Sequence, residues 1–170
     1  MIDADSSSLP LEVLGLFRII FKSAGKHFEE IEKSVGVSGA QLWALSEIAN
    51  AENLTVNGLA KAMSLHQSTT SNLLEKLESR GLVVKLRSTQ DRRVVVLQAT
   101  SSGQAALAQA PGPLRGILPD ALMRMGRDEL MTLKHHLEVL LLLLERKSER
   151  ASGEPLGVAQ RNRRSMQGDA

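Results

Sequence analysis

Four cationic side chains crowd one short stretch of the chain, "KLRSTQDRR": Lys85, Arg87, Arg92 and Arg93. The carboxylate of Asp91 lies among them, and an adjacent carboxylate can hold a guanidinium in one rotamer. Lysine and arginine at this density bind carboxylates or phosphates through charge-assisted hydrogen bonds. Because the stretch joins two runs of β-branched residues, it predicts the tip of a β-hairpin, which buries nothing in the protein's own core. The charge therefore serves either solubility, as an exposed ion pair worth little energy, or an anionic partner.

Short hydrogen-bonding side chains form a second group, at the start of the stretch "QSTTSNLLEKLESR". Thr70, Leu73, Leu74 and Leu77 make the inward face of a predicted helix, so the remaining residues of its first turns point outward. The N-terminus of a helix carries a partial positive charge and free N–H groups suited to a phosphate. The alternative is an ordinary solvated face, since Ser and Thr also favour helix caps. The outward candidates for binding a polyanion are Gln67, Ser68, Thr69, Ser71, Asn72 and Lys76.

Both groups belong to one run of predicted elements. Thr55 caps a short helix, "VNGLAKAM", a turn "SLH" follows, and a second helix ends before Gly81. Two helices joined by such a turn are typical of a helix-turn-helix. With a preceding helix that opens on a Ser38–Gln41 capping box, and with the hairpin behind them, they predict a winged helix. In that fold the second helix enters the DNA major groove, where Gln67 and Asn72 could each contact an adenine edge, and a hairpin arginine fits a narrow minor groove.

The two ends of the chain hold the longest amphipathic patterns. A helix over about residues 10–33 carries one apolar stripe, and Pro10 suits its first turn. A last helix from about Asp128 repeats leucine as a heptad seam, and Leu141–Leu143 add apolar surface on its other faces. One chain cannot easily cover this surface, so we predict a homodimer built from both termini; packing of the two helices within one chain is the alternative. The stripe is Leu14, Phe17, Phe21, Ala24, Phe28 and Ile31, and the seam is Leu130, Leu133, Leu137, Leu140 and Leu144.

The whole pattern predicts a single domain, mainly α with a small β-hairpin wing, over residues 10–148. Residues 10–35 and 114–148 would form the dimerisation helices, the second region broken at Pro119 and Gly126, and residues 38–110 the winged helix-turn-helix. Residues 1–9 are acidic and polar, and residues 151–170 show no periodicity, which predicts disorder at both ends. The basic tail either adds nonspecific phosphate contacts or has no such role.

Composition excludes several classes of protein. Residues 55–100 hold seven Lys/Arg and three Asp/Glu, whereas residues 1–54 hold four and eight, so the cationic charge lies in the winged region. The chain has no cysteine, which excludes disulfides, thiolate metal sites and thiol-based redox switches. The N-terminal residues are polar and the longest apolar run, Val139–Leu144, is too short to cross a bilayer, so we expect a soluble, cytoplasmic protein with no membrane partner.

The residue types that support catalysis or metal binding are not arranged to do so. No Ser–His–Asp order, glycine-rich phosphate loop or paired-carboxylate motif occurs, so we predict neither an enzyme nor a cofactor. His135 and His136 invite a metal site, with Glu138 nearby, but adjacent side chains on a helix point about 100° apart and cannot readily chelate one ion. We therefore assign no metal ligands, and a metal-responsive protein stays an alternative.

Two stretches together resemble the multiple antibiotic resistance regulator (MarR) family. Residues 81–107, "GLVVKLRSTQDRRVVVLQATSSGQAAL", match its winged hairpin in the order "GLV", D-R-R, an alternating strand and T-x-x-G. Residues 55–81, "TVNGLAKAMSLHQSTTSNLLEKLESRG", resemble its helix-turn-helix. Helix order, terminal helices and length agree over about residues 10–148. The D-R-R hairpin with T-x-x-G is fairly specific, whereas the helix-turn-helix alone is shared with other winged helices.

The resemblance implies a homodimeric DNA-binding transcriptional regulator. Such a protein binds a pseudo-palindromic operator with two recognition helices one turn apart and, as a repressor, releases it when a small-molecule effector reshapes the dimer. By motif match, Asp91 orients Arg93 in the minor groove, and Arg92 lies nearby. A winged-helix module that binds a protein partner is the alternative. The positions that match groove-facing residues of the family are Ser68, Thr69 and Ser71.

Two positions depart from the family's pattern. Asn72 stands where the family often has arginine, which puts a phosphate or guanine contact there in doubt. His66 stands where a serine usually caps the helix, which weakens the cap or makes it pH-sensitive. Effectors of the family bind in a crevice between the dimerisation helices and the winged domain. Candidate lining residues are Phe17, Phe21, Trp43 and Met63, for which plain core packing is the alternative.

Overall fold

The mainly α fold with one β-hairpin is confirmed in the computed structural model, which describes residues 8–88, 93–144 and 149–156. The strands are β1 (Val83–Arg87) and β2 (Val95–Ala99), which pair antiparallel with Val83 opposite Ala99. A short 3-10 helix spans Glu149–Gly153. The helices are α1 (Leu9–Val35), α2 (Gly39–Asn50), α3 (Val56–Ala62), α4 (Gln67–Ser79), α5 (Ser101–Gln109), α6 (Ile117–Arg124) and α7 (Arg127–Leu143).

Side-chain caps decide where the helices of the winged region begin. The Ser38 Oγ accepts a hydrogen bond from the Gln41 N–H at 3.3 Å, and the Gln41 Oε1 accepts one from the Ser38 N–H at 2.8 Å, so the capping box is confirmed. Thr55 caps α3 and Thr100 caps α5, each by accepting the N–H of a glycine three residues on, at 3.1 Å. These bonds satisfy N–H groups that have no partner inside their own helix, which fixes the starts of α2, α3 and α5.

The main core joins α2, α3, α4 and both strands. The whole predicted inner face of α4 is buried in it, from Thr70 to Leu77. A second cluster, Ile31, Val37 and Leu42, packs α1 against α2. Because burial holds α4 from one side, its other side is held towards solvent. The main core consists of Ala44, Leu45, Ile48, Leu59, Met63, Leu73, Leu74, Leu77, Val83 and Leu97.

The glycine of the T-x-x-G motif lies where α5 meets the chain leading into β1. A Cβ at Gly103 would collide with the Leu82 carbonyl oxygen and lie 3.1 Å from the Leu45 Cδ1. We therefore expect Gly103→Ala to lower the free energy of unfolding by about 1–3 kcal/mol, the usual cost of overpacking, as measured by urea denaturation. Gly25→Ala is the matched control, because nothing lies within 4 Å of its added Cβ and alanine favours a helix interior. Equal stability of the two variants would contradict the packing argument.

Three boundaries differ from the sequence-based expectation. Helix α1 begins at Leu9 rather than at residue 10, and residues 1–7 lie outside the described part of the chain. Pro119 does not break its helix, because it is the third residue of α6, where the missing N–H would have no intrahelical partner. The expected disorder from residue 151 is wrong for residues 151–156, since the Gly153 carbonyl accepts a hydrogen bond from the His66 N–H at 3.1 Å. Residues 157–170 lie outside the described residues.

The apolar surfaces of the terminal helices are only partly covered. In the α1 stripe Ala24 and Ile31 are buried, whereas Leu14 is 43% and Phe21 67% exposed. Helix α7 has no buried residue, and its seam residue Leu140 is 40% exposed. The alternative in which the two helices cover each other within one chain is therefore wrong for the described residues. None of the helices described here has the length and apolar character needed to cross a bilayer.

Candidate nucleic-acid interface

The six candidate contacts of α4 lie on the part of the helix that the core leaves uncovered. Gln67, Ser68, Asn72 and Lys76 are exposed, and Thr69 and Ser71 are half-buried. Thr70, which lies between them, is buried and donates its hydroxyl to the His66 carbonyl oxygen at 3.1 Å. The helix therefore offers amide and hydroxyl groups to an external partner close to its N-terminus.

His66 occupies the N-cap position of α4 without capping it. Its backbone is extended, but its side chain makes no cap hydrogen bond, which confirms the weakened cap expected from the sequence. Because no N-cap side chain occupies the first-turn N–H groups, these groups keep their capacity to bind an anion.

The hairpin carries arginines to either side of its tip. Arg87 ends β1 opposite Val95, and Arg93 lies just before β2; both side chains are exposed. Asp91 and Arg92 lie outside the described residues, so the proposed orienting role of Asp91 stays a prediction.

Lys85 forms an ion pair with α4 that the sequence pattern did not predict. Its Nζ donates to the Glu78 Oε2 at 2.7 Å, and the two side chains are 38% and 29% exposed. The pair spans the turn at Gly81 and so connects the hairpin with the end of α4. Such exposed pairs contribute about 0.2–1 kcal/mol, so this pair favours one position of the hairpin only slightly. The separation of seven residues across a glycine turn is the signal that could have indicated Glu78.

A hydrogen-bonded trio, Trp43, Glu47 and Arg115, connects α2 with the segment just before α6. Trp43 donates its indole N–H to the Glu47 Oε1 at 2.9 Å, and the Arg115 Nε donates to the same oxygen at 2.9 Å. On α1, the His27 Nε2 lies 3.1 Å from the Pro113 carbonyl oxygen. Arg115 lies 68 residues from Glu47, and Pro113 lies 86 residues from His27, so no local sequence pattern indicates these two contacts.

The four residues expected to line an effector crevice are not brought together within one chain. Trp43 and Met63 border a cavity of about 30 Å³ beside Phe28. Phe17 and Phe21 instead stack on each other along α1, with ring centroids 6.1 Å apart, and do not border that cavity. Met63 is also 3% exposed within the main core, which agrees with the core alternative for this residue.

Among the residues that the structure describes, His135 and His136 do not combine with other metal ligands. Their ring centroids are 5.7 Å apart and the rings are tilted by 51°. The nearby Glu138 pairs with Lys134 at 2.6 Å. Within residues 8–88, 93–144 and 149–156, no group of three or more His, Asp or Glu side chains could hold a metal ion.

Comparison with known proteins agrees with this fold. Residues 35–94 match the model of the MarR family, which spans α2 to α4 and β1. The transcriptional repressor MdtR of Bacillus subtilis is 26% identical over 129 residues, covering 76% of this chain and 81% of that protein. The organic hydroperoxide resistance transcriptional regulator of the same species is 27% identical over 126 residues, covering 72% and 82%.

Solved structures show the same winged-helix architecture. The YusO protein of Bacillus subtilis superposes with a TM-score of 0.50 at 25% identity, covering 85% of this chain and 99% of that one. MepR of S. aureus, solved as a complex with DNA, superposes with a TM-score of 0.54 at 24% identity, covering 75% and 92%. The match to the MarR family thus covers the winged region, residues 35–94, and the two relatives named above are transcriptional regulators.

Proposed function

We propose that this protein is a homodimeric repressor that binds a pseudo-palindromic operator and releases it when a small-molecule effector binds. The observation that carries the proposal is the exposed polar side of α4, which the core holds in place from Thr70 to Leu77. Its Gln67 and Asn72 amides have the donor and acceptor pattern that pairs with an adenine edge in the major groove.

The hairpin supplies the second contact. Arg93 and Arg87 are exposed beside its tip, and the Glu78–Lys85 pair connects the hairpin to α4. An arginine on such a wing is favoured in a narrow minor groove, where the negative potential is strongest. We assign Asp91 to orienting Arg93 and Arg92 to a neighbouring contact, on the D-R-R motif alone.

The uncovered apolar surfaces of the terminal helices support dimerisation through them. We assign residues 10–35 and 114–148 to the dimer interface, because leucines of α1 and α7 are exposed there in one chain. A two-fold dimer presents two copies of α4, and these must lie one helical turn of DNA apart, about 34 Å, to read a palindrome.

The repressor role rests on one relative. MdtR of Bacillus subtilis, which is 26% identical over 129 residues, is a transcriptional repressor. A cysteine-based signal is excluded in this chain, which has none, so we propose a non-covalent small molecule as the effector.

Selection of DNA fragments by the purified protein tests this proposal. We expect enrichment of a pseudo-palindrome whose binding constant falls steeply with salt, because each neutralised phosphate releases counterions. A module that binds protein would enrich no DNA at all, which would contradict the proposal. A metal-responsive regulator would instead change its DNA affinity or its melting temperature when a chelator is added.

A further inference from the structure

The last described residues, 149–156, fold back onto the helix-turn-helix; we name them the C-terminal strap. The Gly153 carbonyl accepts a hydrogen bond from the His66 N–H at 3.1 Å. Gly153 is buried, and a Cβ in its place would collide with the Cδ2 and Nε2 of His66. The strap backbone therefore lies directly against the imidazole, at the residue that precedes α4.

The end of the strap covers the cavity beside Trp43. Pro155 and Leu156 border this cavity together with Trp43, Met63 and Arg115. With the strap in place the cavity measures about 30 Å³. Small-molecule sites measure about 300–1,000 Å³, so the remaining space suits one or two waters rather than an organic ligand.

We propose that the C-terminal strap is an intramolecular lid, whose Pro155 and Leu156 close one side of the crevice that a ligand would need. A ligand then enters only by displacing the strap, which breaks the bond between Gly153 and His66. Because His66 is the N-cap of α4, occupancy of the crevice is coupled to the start of this helix. The effect on DNA rests on the proposed function, whereas the docking of the strap does not.

Trp43 reports directly on the strap, because it is the single tryptophan of the chain and it borders the covered cavity. A chain that ends at residue 148 lacks the strap, and a control chain that ends at residue 156 lacks only residues 157–170. We expect the shorter chain to show red-shifted tryptophan emission and stronger quenching by acrylamide, with the control unchanged. The same spectra from all three chains, or the same shift in both truncations, would overturn the lid.

Two further measurements keep the test independent of folding defects. In the full-length chain, Leu156→Glu places a carboxylate where the apolar side chain covers the cavity, so the same red shift is expected while circular dichroism stays unchanged. Exchange of the His66 amide hydrogen is expected to accelerate in both the Leu156→Glu variant and the shorter chain, because its acceptor is lost. Slow exchange of this amide in a chain without the strap would contradict the anchoring bond.

Operator affinity of the same variants tests the coupling. Release of the strap leaves the turn before α4 less ordered, so a smaller fraction of molecules is ready to bind and affinity falls several-fold. Unchanged affinity in a variant that shows the red shift would overturn the coupling. If the wild-type chain binds no DNA, the proposed function fails, and the tryptophan emission still decides the strap.

Discussion

Replacing Arg93 by alanine is expected to weaken operator binding roughly 5- to 150-fold, the equivalent of about 1–3 kcal/mol. Arg93 is exposed two residues before β2, beside the tip of a hairpin that the Glu78–Lys85 pair connects to α4. In the proposed complex a guanidinium at this point would lie beside the minor groove next to the major groove that α4 would enter, and alanine removes both its charge and its hydrogen bonds. Fluorescence anisotropy titration of a labelled operator at fixed salt measures the change.

Arg124→Ala is the matched control for charge. The Arg124 side chain is 75% exposed on α6, where it pairs with Asp120 at 3.0 Å, away from the hairpin. The control removes the same charge, and we expect it to change operator affinity little. Equal loss in both variants would indicate an effect of net charge alone, and no loss in Arg93→Ala would contradict the role of the wing.

The Arg93→Lys variant distinguishes recognition of a narrow minor groove from binding to phosphate alone. Lysine keeps the positive charge but lacks the planar fork of the guanidinium, so it substitutes well at a phosphate and poorly in a narrow groove. We expect Arg93→Lys to retain the salt dependence of the wild-type protein and to lose most of the affinity. Recovery of wild-type affinity would show that this residue binds phosphate only.

The winged region could be predicted because its signals are local. The buried side of α4 follows from apolar spacing, and the starts of α2, α3 and α5 follow from capping residues at Ser38, Thr55 and Thr100. Each of these signals spans a few residues of sequence. Burial in the core stabilises the same helices that these local signals predict. The exposed face of α4 could be predicted as well, because it consists of the residues that do not belong to the buried face.

The remaining features depend on contacts between distant residues. Periodicity marks the α1 stripe as one apolar surface, but it does not show that Ile31 lies inside the chain while Phe21 stays exposed. The strap docks through one backbone hydrogen bond, a buried glycine, and two residues that border a cavity. None of these contacts requires a repeating pattern of apolar residues, so the sequence of the strap shows no periodicity. The pairing of Glu47 with Arg115 likewise follows from the packing of the whole chain.

Leu140→Lys, a substitution in the exposed leucine seam of α7, is expected to dissociate the dimer, which is the largest effect that we predict. Leu140 is 40% exposed in one chain and lies in the middle of the heptad seam. In a two-fold interface the lysine enters twice, so two ammonium groups would be desolvated near the axis without partners. We expect Leu140→Lys to sediment as a monomer at concentrations where the wild-type protein sediments as a dimer.

Glu138→Lys is the control, because it introduces the same side chain on the same helix outside the seam. Glu138 is exposed and pairs with Lys134 at 2.6 Å, so its replacement loses only a surface ion pair, worth about 0.2–1 kcal/mol. This variant is expected to stay dimeric. A dimeric Leu140→Lys protein would show that the seam is not the interface.

The monomer also tests how the operator is read. Two linked copies of α4 bind a palindrome more tightly than one copy does, because the second half-site is reached at high effective concentration. We therefore expect Leu140→Lys to lose about 10²- to 10⁴-fold in affinity for the palindrome while a single half-site is bound as by the wild-type protein. Loss of half-site binding as well would point to damage in the winged region, and unchanged palindrome binding would contradict recognition by a dimer.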